Sequence, residues 1–245
     1  MTKVTVTGAD DKTNQKDLIN LLKLYPFVEF GILFSMKSRG SKRFPEHEWI
    51  DELQDLVVKN KINKRHFSGH LCGKYVSDIF NGNVEHSGTI MDKYSSLFSR
   101  WQLNTHGLKH GYSRWWTDVI AKELQRMDVE IIFQYDDVNK HIMNHTIGRN
   151  GNKGFSALFD LSHGAGVLPD AWPMPIDGLD VGYAGGLSPS NVVEQIEKIL
   201  PVIGEKDFWI DAETHLRSDV DDTFDLGKVE AFLKAARPYT QFGPK

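Results

Sequence analysis

Short apolar runs with an alternating polar partner are followed, again and again, by stretches with helical spacing. "VTVTGAD" (Val4 to Asp10) reads as a first strand, and Leu18, Leu21 and Leu22 mark a helix around Lys16 to Leu24. "VEFGILFS" (28–35) is a second strand, and Pro45 opens a helix whose Trp49, Leu53, Leu56 and Val57 share a face. "RHFSGHLCG" is a third strand with a short helix, "YVSDIF", behind it; residues 81–99 are polar and show no clear period. "RWQLNT" is a fourth strand, backed by a helix carrying Trp116, Val119, Ile120, Leu124 and Met127. "VEIIFQYDD" and "FSALFDLS" are the fifth and sixth, separated by a polar helix around Val138 to Thr146. The Gly- and Pro-rich "HGAGVLPDAWPMPIDG" predicts a long loop. "LDVGYAGG" is the seventh strand, after which Ser188 is a good N-cap with Pro189 at the first helical position. "DFWIDAET" is the eighth, and Leu226, Val229, Phe232, Leu233 and Ala236 line a last helix that Pro238 ends.

About eight β-then-α units in about 250 residues is the size of a (β/α)8 TIM barrel. A doubly wound open sheet has the same alternation, because periodicity does not prove closure. No break in composition divides the 245 residues, so one domain spanning 1–245 is expected.

The faces of the strands differ in polarity. Val4 and Val6 alternate with Thr5 and Thr7, Leu103 with Gln102 and Asn104, and Phe133 and Tyr135 with Gln134 and Asp136. Phe159 lies between Leu158 and Asp160, and Ile210 and Ala212 alternate with Asp211 and Glu213. In a barrel the apolar set meets the helices, so the polar set points inward. Such groups need either a ligand at the mouth or one another, as a hydrogen-bonded polar core.

Composition narrows the partners. A formal charge of −4 gives no field for nucleic acid. No apolar run approaches the roughly 18 residues of a membrane span, and "MTKVTV" does not read as a signal peptide. The expectation is a soluble, cytoplasmic protein, its oligomeric state left open. Cys72, the sole cysteine, excludes an intramolecular disulfide. His141 and His145 lie four apart without the glutamate of a zinc protease, and His106 and His110 share that spacing. His66 and His70 share a strand face, a pattern common without metals, so no metal or other cofactor is expected. Arg39, Lys42 and Arg43 make a short basic loop, and Trp172 has a choice between covering the mouth and packing on its own barrel.

Several of these segments, in order, resemble phosphoribosylanthranilate isomerase, a small barrel family that rearranges a phosphorylated aminoribose. "AGGLSPSNV" (184–192) is similar to its seventh-strand end, "LFDL" then "HGAG" to its sixth, "QLNTHG" to its fourth and "GILFSMKSRG" to its second. The resemblance puts Asp160 at the family's general acid, and Gly185 and Gly186, with the amides that begin the next helix, at its phosphate site. Arg39 becomes a candidate anion contact. Thr7 stands where the family has a cysteine base, and Glu213, Thr214 and His215 stand where it has "SSG". A threonine hydroxyl is a poor base for a carbon-bound proton, so authentic isomerase activity is not expected. Asp10, His70, Asp136 and Glu213 are the candidates for the base, with Asp160 as acid. Thr7, Arg39, Gln102, Asn104, His163, Gly164, Gly185, Gly186, Asp211 and His215 are the candidate ligand contacts. The expected partner is a small phosphorylated or ribose-containing ligand. It is either a phosphorylated sugar or related metabolite turned over by acid–base chemistry, or a phosphoribosyl or nucleotide-like ligand held at the strand C-terminal mouth without catalysis.

Overall fold

The computed structural model describes residues 1–108, 129–137, 139–162 and 164–243. The sheet closes. Eight parallel strands run in sequence order, β1 Lys3–Thr7, β2 Val28–Phe34, β3 Phe67–Leu71, β4 Arg100–Leu103, β5 Glu130–Tyr135, β6 Phe155–Asp160, β7 Asp180–Ala184 and β8 Phe208–Ala212. The ladder between β1 and β8, with Val4 opposite Ile210 and Thr5 opposite Asp211, removes the edges that a doubly wound sheet would have. The protein is a (β/α)8 barrel. Helices Gln15–Leu24, His47–Lys59, Lys74–Phe80, Lys140–Asn150, Val192–Ile203 and Leu226–Ala236 follow the strands as the periodicity predicts. The helix expected around Trp116 to Met127 lies outside the described residues, as does Val138.

Two expectations are corrected. Residues 81–99 contain a helix, Glu85–Lys93, in which Ile90 and Met91 are buried; with so few apolar positions its period could not be read. The helix after β7 begins at Val192, not at Pro189, because residues 189–191 form a turn and the Ser188 amide is taken by Asn191 Oδ1 (2.8 Å).

The strand faces divide as their alternation requires. Val4, Val6, Phe30, Ile32, Trp101, Leu103, Ile131, Phe133, Tyr183 and Ile210 join the large core between barrel and helices. The inward set is mixed, and its character changes with depth. Near the strand starts, Arg100 and Glu29 form a buried bidentate pair (2.6 and 2.8 Å), with Thr5 donating to Glu29 at 2.9 Å. The Arg100 guanidinium also stands 4.5 Å from the Trp209 ring centroid. Trp209 belongs to a small inner apolar cluster with Ile132, Leu158 and Ala184, and Gly182 makes room for it: a Cβ there would lie 2.2 Å from the indole. A hydrogen-bonded polar core therefore fills the lower half of the barrel, and the polar side chains of the upper half stand around its mouth.

Candidate active site

A cleft of about 240 Å3 opens at the C-terminal ends of the strands, lined by residues from β3 to β8 and the loops after them. Of the residues singled out from the sequence, His70, Gln102, Asn104, Asp160, Gly164, Gly185, Gly186, Asp211, Glu213 and His215 line it. His163 lies outside the described residues.

Four candidates stand elsewhere. Asp10 is held by Arg217 Nη2 (2.8 Å) and caps its own turn through the Lys12 amide (3.1 Å). Asp136 is buried and accepts from the amide and the side chain of Asn139, both at 2.8 Å, where it shapes the entry to the helix Lys140–Asn150. Arg39 faces Glu46 (3.4 Å) on the surface. It is Arg43, in a left-handed conformation (φ 62°), that reaches the mouth, where its guanidinium bonds Glu213 at 2.7 Å. Thr7 is buried beneath the cleft wall and donates to Asp211 Oδ1 at 2.9 Å. Trp172 packs edge-on against Tyr183 and donates to Gln195, so it belongs to the outer wall.

A hydrogen-bonded girdle holds the lining side chains. Gln102 donates to Asn104 (2.8 Å), and Asn104 to the sulfur of Cys72 (3.1 Å). Gln134 accepts from the His106 amide and donates to Asp160 Oδ2 at 3.0 Å. Asp160 further accepts from the Ser162 hydroxyl (2.7 Å), the Ser162 amide (3.2 Å) and the Gly164 amide (3.1 Å). Those four donors match the about four lone-pair sites a carboxylate offers. Alternation with Phe133 puts Gln134 on the inward face of its strand without making it a candidate contact, and nothing in the sequence marks Ser162 or Cys72 as a mouth residue.

The double glycine after β7 does two things. Gly185 and Gly186 have φ of 103° and 69°, and a Cβ on Gly186 would sit 2.4 Å from the Leu168 nitrogen. The turn therefore accepts the loop that follows β6, whose Ser162, Val167 and Leu168 lie against Gly185 and Gly186. His215 ties that loop down through the Gly166 carbonyl at 2.9 Å. The result is a wall of glycine backbone, with Thr214 and His215 at its margin.

The neighbouring end of β8 is acidic and buried. Burial, then its neighbours Glu213 and Glu29, push the Asp211 carboxyl up to about 7, against the Thr7 hydrogen bond and Arg100. Burial also raises Glu213, opposed by Arg43 and reinforced by Asp160. His70 is carried down to about 3, chiefly by burial, so its ring is neutral at physiological pH; its Nε2 lies 3.0 Å from the Ser68 hydroxyl. Cys72 is pushed up to about 12 by burial and Glu213, which keeps it a thiol. Among the described residues no group of three or more His, Cys, Asp or Glu side chains is gathered as a metal would need, and no helix is long and apolar enough to cross a membrane.

No protein-family model matches the chain, and no curated protein matches its sequence. Its backbone is similar to solved structures at low identity. The spore coat polysaccharide biosynthesis protein SpsE of Bacillus subtilis aligns with a TM-score of 0.54 at 14% identity, over 99% of this chain and 71% of that one. The BexX/CysO complex of Amycolatopsis orientalis gives 0.48 at 14% identity, over 100% of this chain and 93% of that one. The 3-keto-L-gulonate-6-phosphate decarboxylase of Vibrio cholerae gives 0.46 at 12% identity, over 95% and 97%. At such identities the likeness is one of fold, and the chemistry has to be argued from the cleft itself.

Proposed function

We propose that this barrel binds a small phosphorylated or ribose-containing metabolite in its C-terminal mouth and rearranges it by acid–base chemistry. The observation that carries the reading is the mixed lining of the cleft. The glycine turn after β7, with Thr214 and His215 beside it, gives a close backbone approach that suits a phosphoryl group, while the Gly164 and Gly166 amides already donate to Asp160 and Ser162. Asp211 and Glu213 at the neighbouring end of β8, and Gln102 and Asn104 across the barrel at the end of β4, suit sugar hydroxyls or an amine. The resemblance of Ala184 to Val192 to phosphoribosylanthranilate isomerase adds support from a separate direction. Thr7 in place of a cysteine base, and the Glu213 carboxylate in place of a phosphate-binding strand end, argue for a substrate other than that family's.

A second reading, a barrel that holds such a ligand without turning it over, draws on one specific feature. Asp160, which the resemblance makes the acid, already has four donors and can give a proton only after losing one of them. The two readings share a binding test and part at turnover. Ribose 5-phosphate is expected to raise the melting temperature more than ribose or inorganic phosphate alone, and proton NMR after incubation then reports whether it is converted. No shift from any of the three at millimolar concentration would remove both readings.

A further inference from the structure

We infer that Asp211 is the group that exchanges a proton with the metabolite in the cleft, and that Thr7 is its positioning residue. The inference deepens the reading above and rests on the mouth being a ligand site. The carboxylates differ in how their oxygens are used. Asp160 has its four donors, Asp136 is held by Asn139, Asp10 by Arg217 and Glu213 by Arg43. Asp211 lines the cleft at 6% exposure, and among the described residues it accepts from Thr7 alone. A buried carboxylate with one donor is costly to maintain, and a proton or a ligand's donor relieves that cost.

Thr7 sets the geometry. Its buried hydroxyl engages Oδ1, and among the described residues Oδ2 accepts from none. Gly31 clears the space around that hydroxyl: a Cβ there would lie 2.3 Å from Thr7 Oγ1 and 2.8 Å from His70 Cε1. The charged groups acting on Asp211 are Glu213 just after its own strand, Glu29 from β2 and Arg100 from β4, while His70 from β3 is neutral. With its carboxyl pushed up to about 7, chiefly by burial, both protonation states are populated near neutrality, as acid–base exchange requires.

The step needs no co-reactant. The Asp211 carboxylate takes the proton from a carbon beside a ligand carbonyl. The C–H electron pair becomes the carbon–carbon double bond of an enediolate, and the carbonyl oxygen takes the negative charge. Returning the proton to the other carbon, with the oxygen-bound proton shifted between the two oxygens, completes an isomerisation.

The test uses ribulose 5-phosphate and the full chain in D2O. Thermal shift reports binding, and proton NMR reports deuterium beside the carbonyl. Wild type and Arg39→Ala are expected to bind and exchange. Asp211→Asn is expected to bind and to lose exchange by about 100-fold or more, while Thr7→Val slows it and Thr7→Ser restores it. Carbon-13 NMR of labelled aspartates gives a readout without ligand. One carboxyl titrating near neutrality should vanish in Asp211→Asn, move upward in Thr7→Val and return in Thr7→Ser. Exchange that survives in Asp211→Asn, binding of the wild type without exchange, or no aspartate titrating between about pH 6 and 8 each overturns the inference and leaves the binding reading standing. Failure to bind any of the sugar phosphates instead removes the binding reading and the catalytic role together.

Discussion

Two buried carboxylates of the barrel interior respond to pH with opposite signs. Asp211 rises from an ordinary 3.8 to about 7 in the folded protein, so the native state holds a proton that the unfolded chain has lost. Stability on its account is highest below about pH 4, falls as pH rises toward 7 and is flat above. Asp211→Asn removes that cost. The variant should match wild type near pH 4 and exceed it by roughly 1–4 kcal/mol at pH 8, as read by urea denaturation at both values. Glu29 goes the other way: burial opposes its ionisation, but Arg100, Lys3 and the Thr5 hydrogen bond outweigh it and carry it from 4.5 to about 2. Its contribution is complete above about pH 4.5 and is lost as pH falls toward 2, so Glu29→Gln should cost most at neutral pH and least in acid. The stabilising carboxylate sits under the site and the destabilising one lines it. At this scale the sequence could nominate residues but not rank them. Asp10, Asp136, Asp160 and Asp211 all follow or end apolar runs, and only the number of donors around each separates a turn cap from a group left open to the cleft.

At the scale of elements, the barrel depends on what a few strand positions lack or pair. Gly182 on β7 faces Trp209 on β8, and Gly182→Ala should cost about 1–3 kcal/mol by overpacking, with Trp209→Leu recovering part of the loss in a double-mutant cycle. Arg100→Met leaves the buried Glu29 with only Lys3 at 3.4 Å and the Thr5 hydroxyl and should cost about 3–5 kcal/mol in denaturant unfolding. The strand periods and those of most described helices were legible, since each of these strands has one face on the helices and each of these helices one face on the barrel. The Glu85–Lys93 helix was hidden because it buries too few apolar residues to leave a stripe. The inward ion pair was hidden too, because Glu29 and Arg100 each look like a polar residue near the start of a strand until closure brings β2 and β4 across from one another.

For the molecule as a whole, closure turns a series of alternating strands into one cavity with a rim. Ten of the fifteen residues nominated for the site line that rim, while Asp10, Asp136 and Arg39 are turned to structural contacts around it. A ligand seated there binds only the folded chain. At ten times its dissociation constant, ribose 5-phosphate should add about 1.4 kcal/mol, or roughly 3–6 °C in Tm for a chain of this size, and thermal shift measures that directly.

By itself, the sequence determined the order and type of most elements and which face of most strands is polar. Those are local properties, written in spacings of two and of three to four residues. It also carried the glycine pair at 185 and 186, because positive φ leaves few other choices. The tertiary structure alone decided that the sheet closes, that the glycine pair receives the loop after β6, and that Arg43 rather than Arg39 reaches the mouth. Among the described residues it alone left Asp211 with a single donor. Each of these depends on pairs of residues distant in the chain, such as Thr7 with Asp211 and Gly186 with Leu168, whose meeting no local period records.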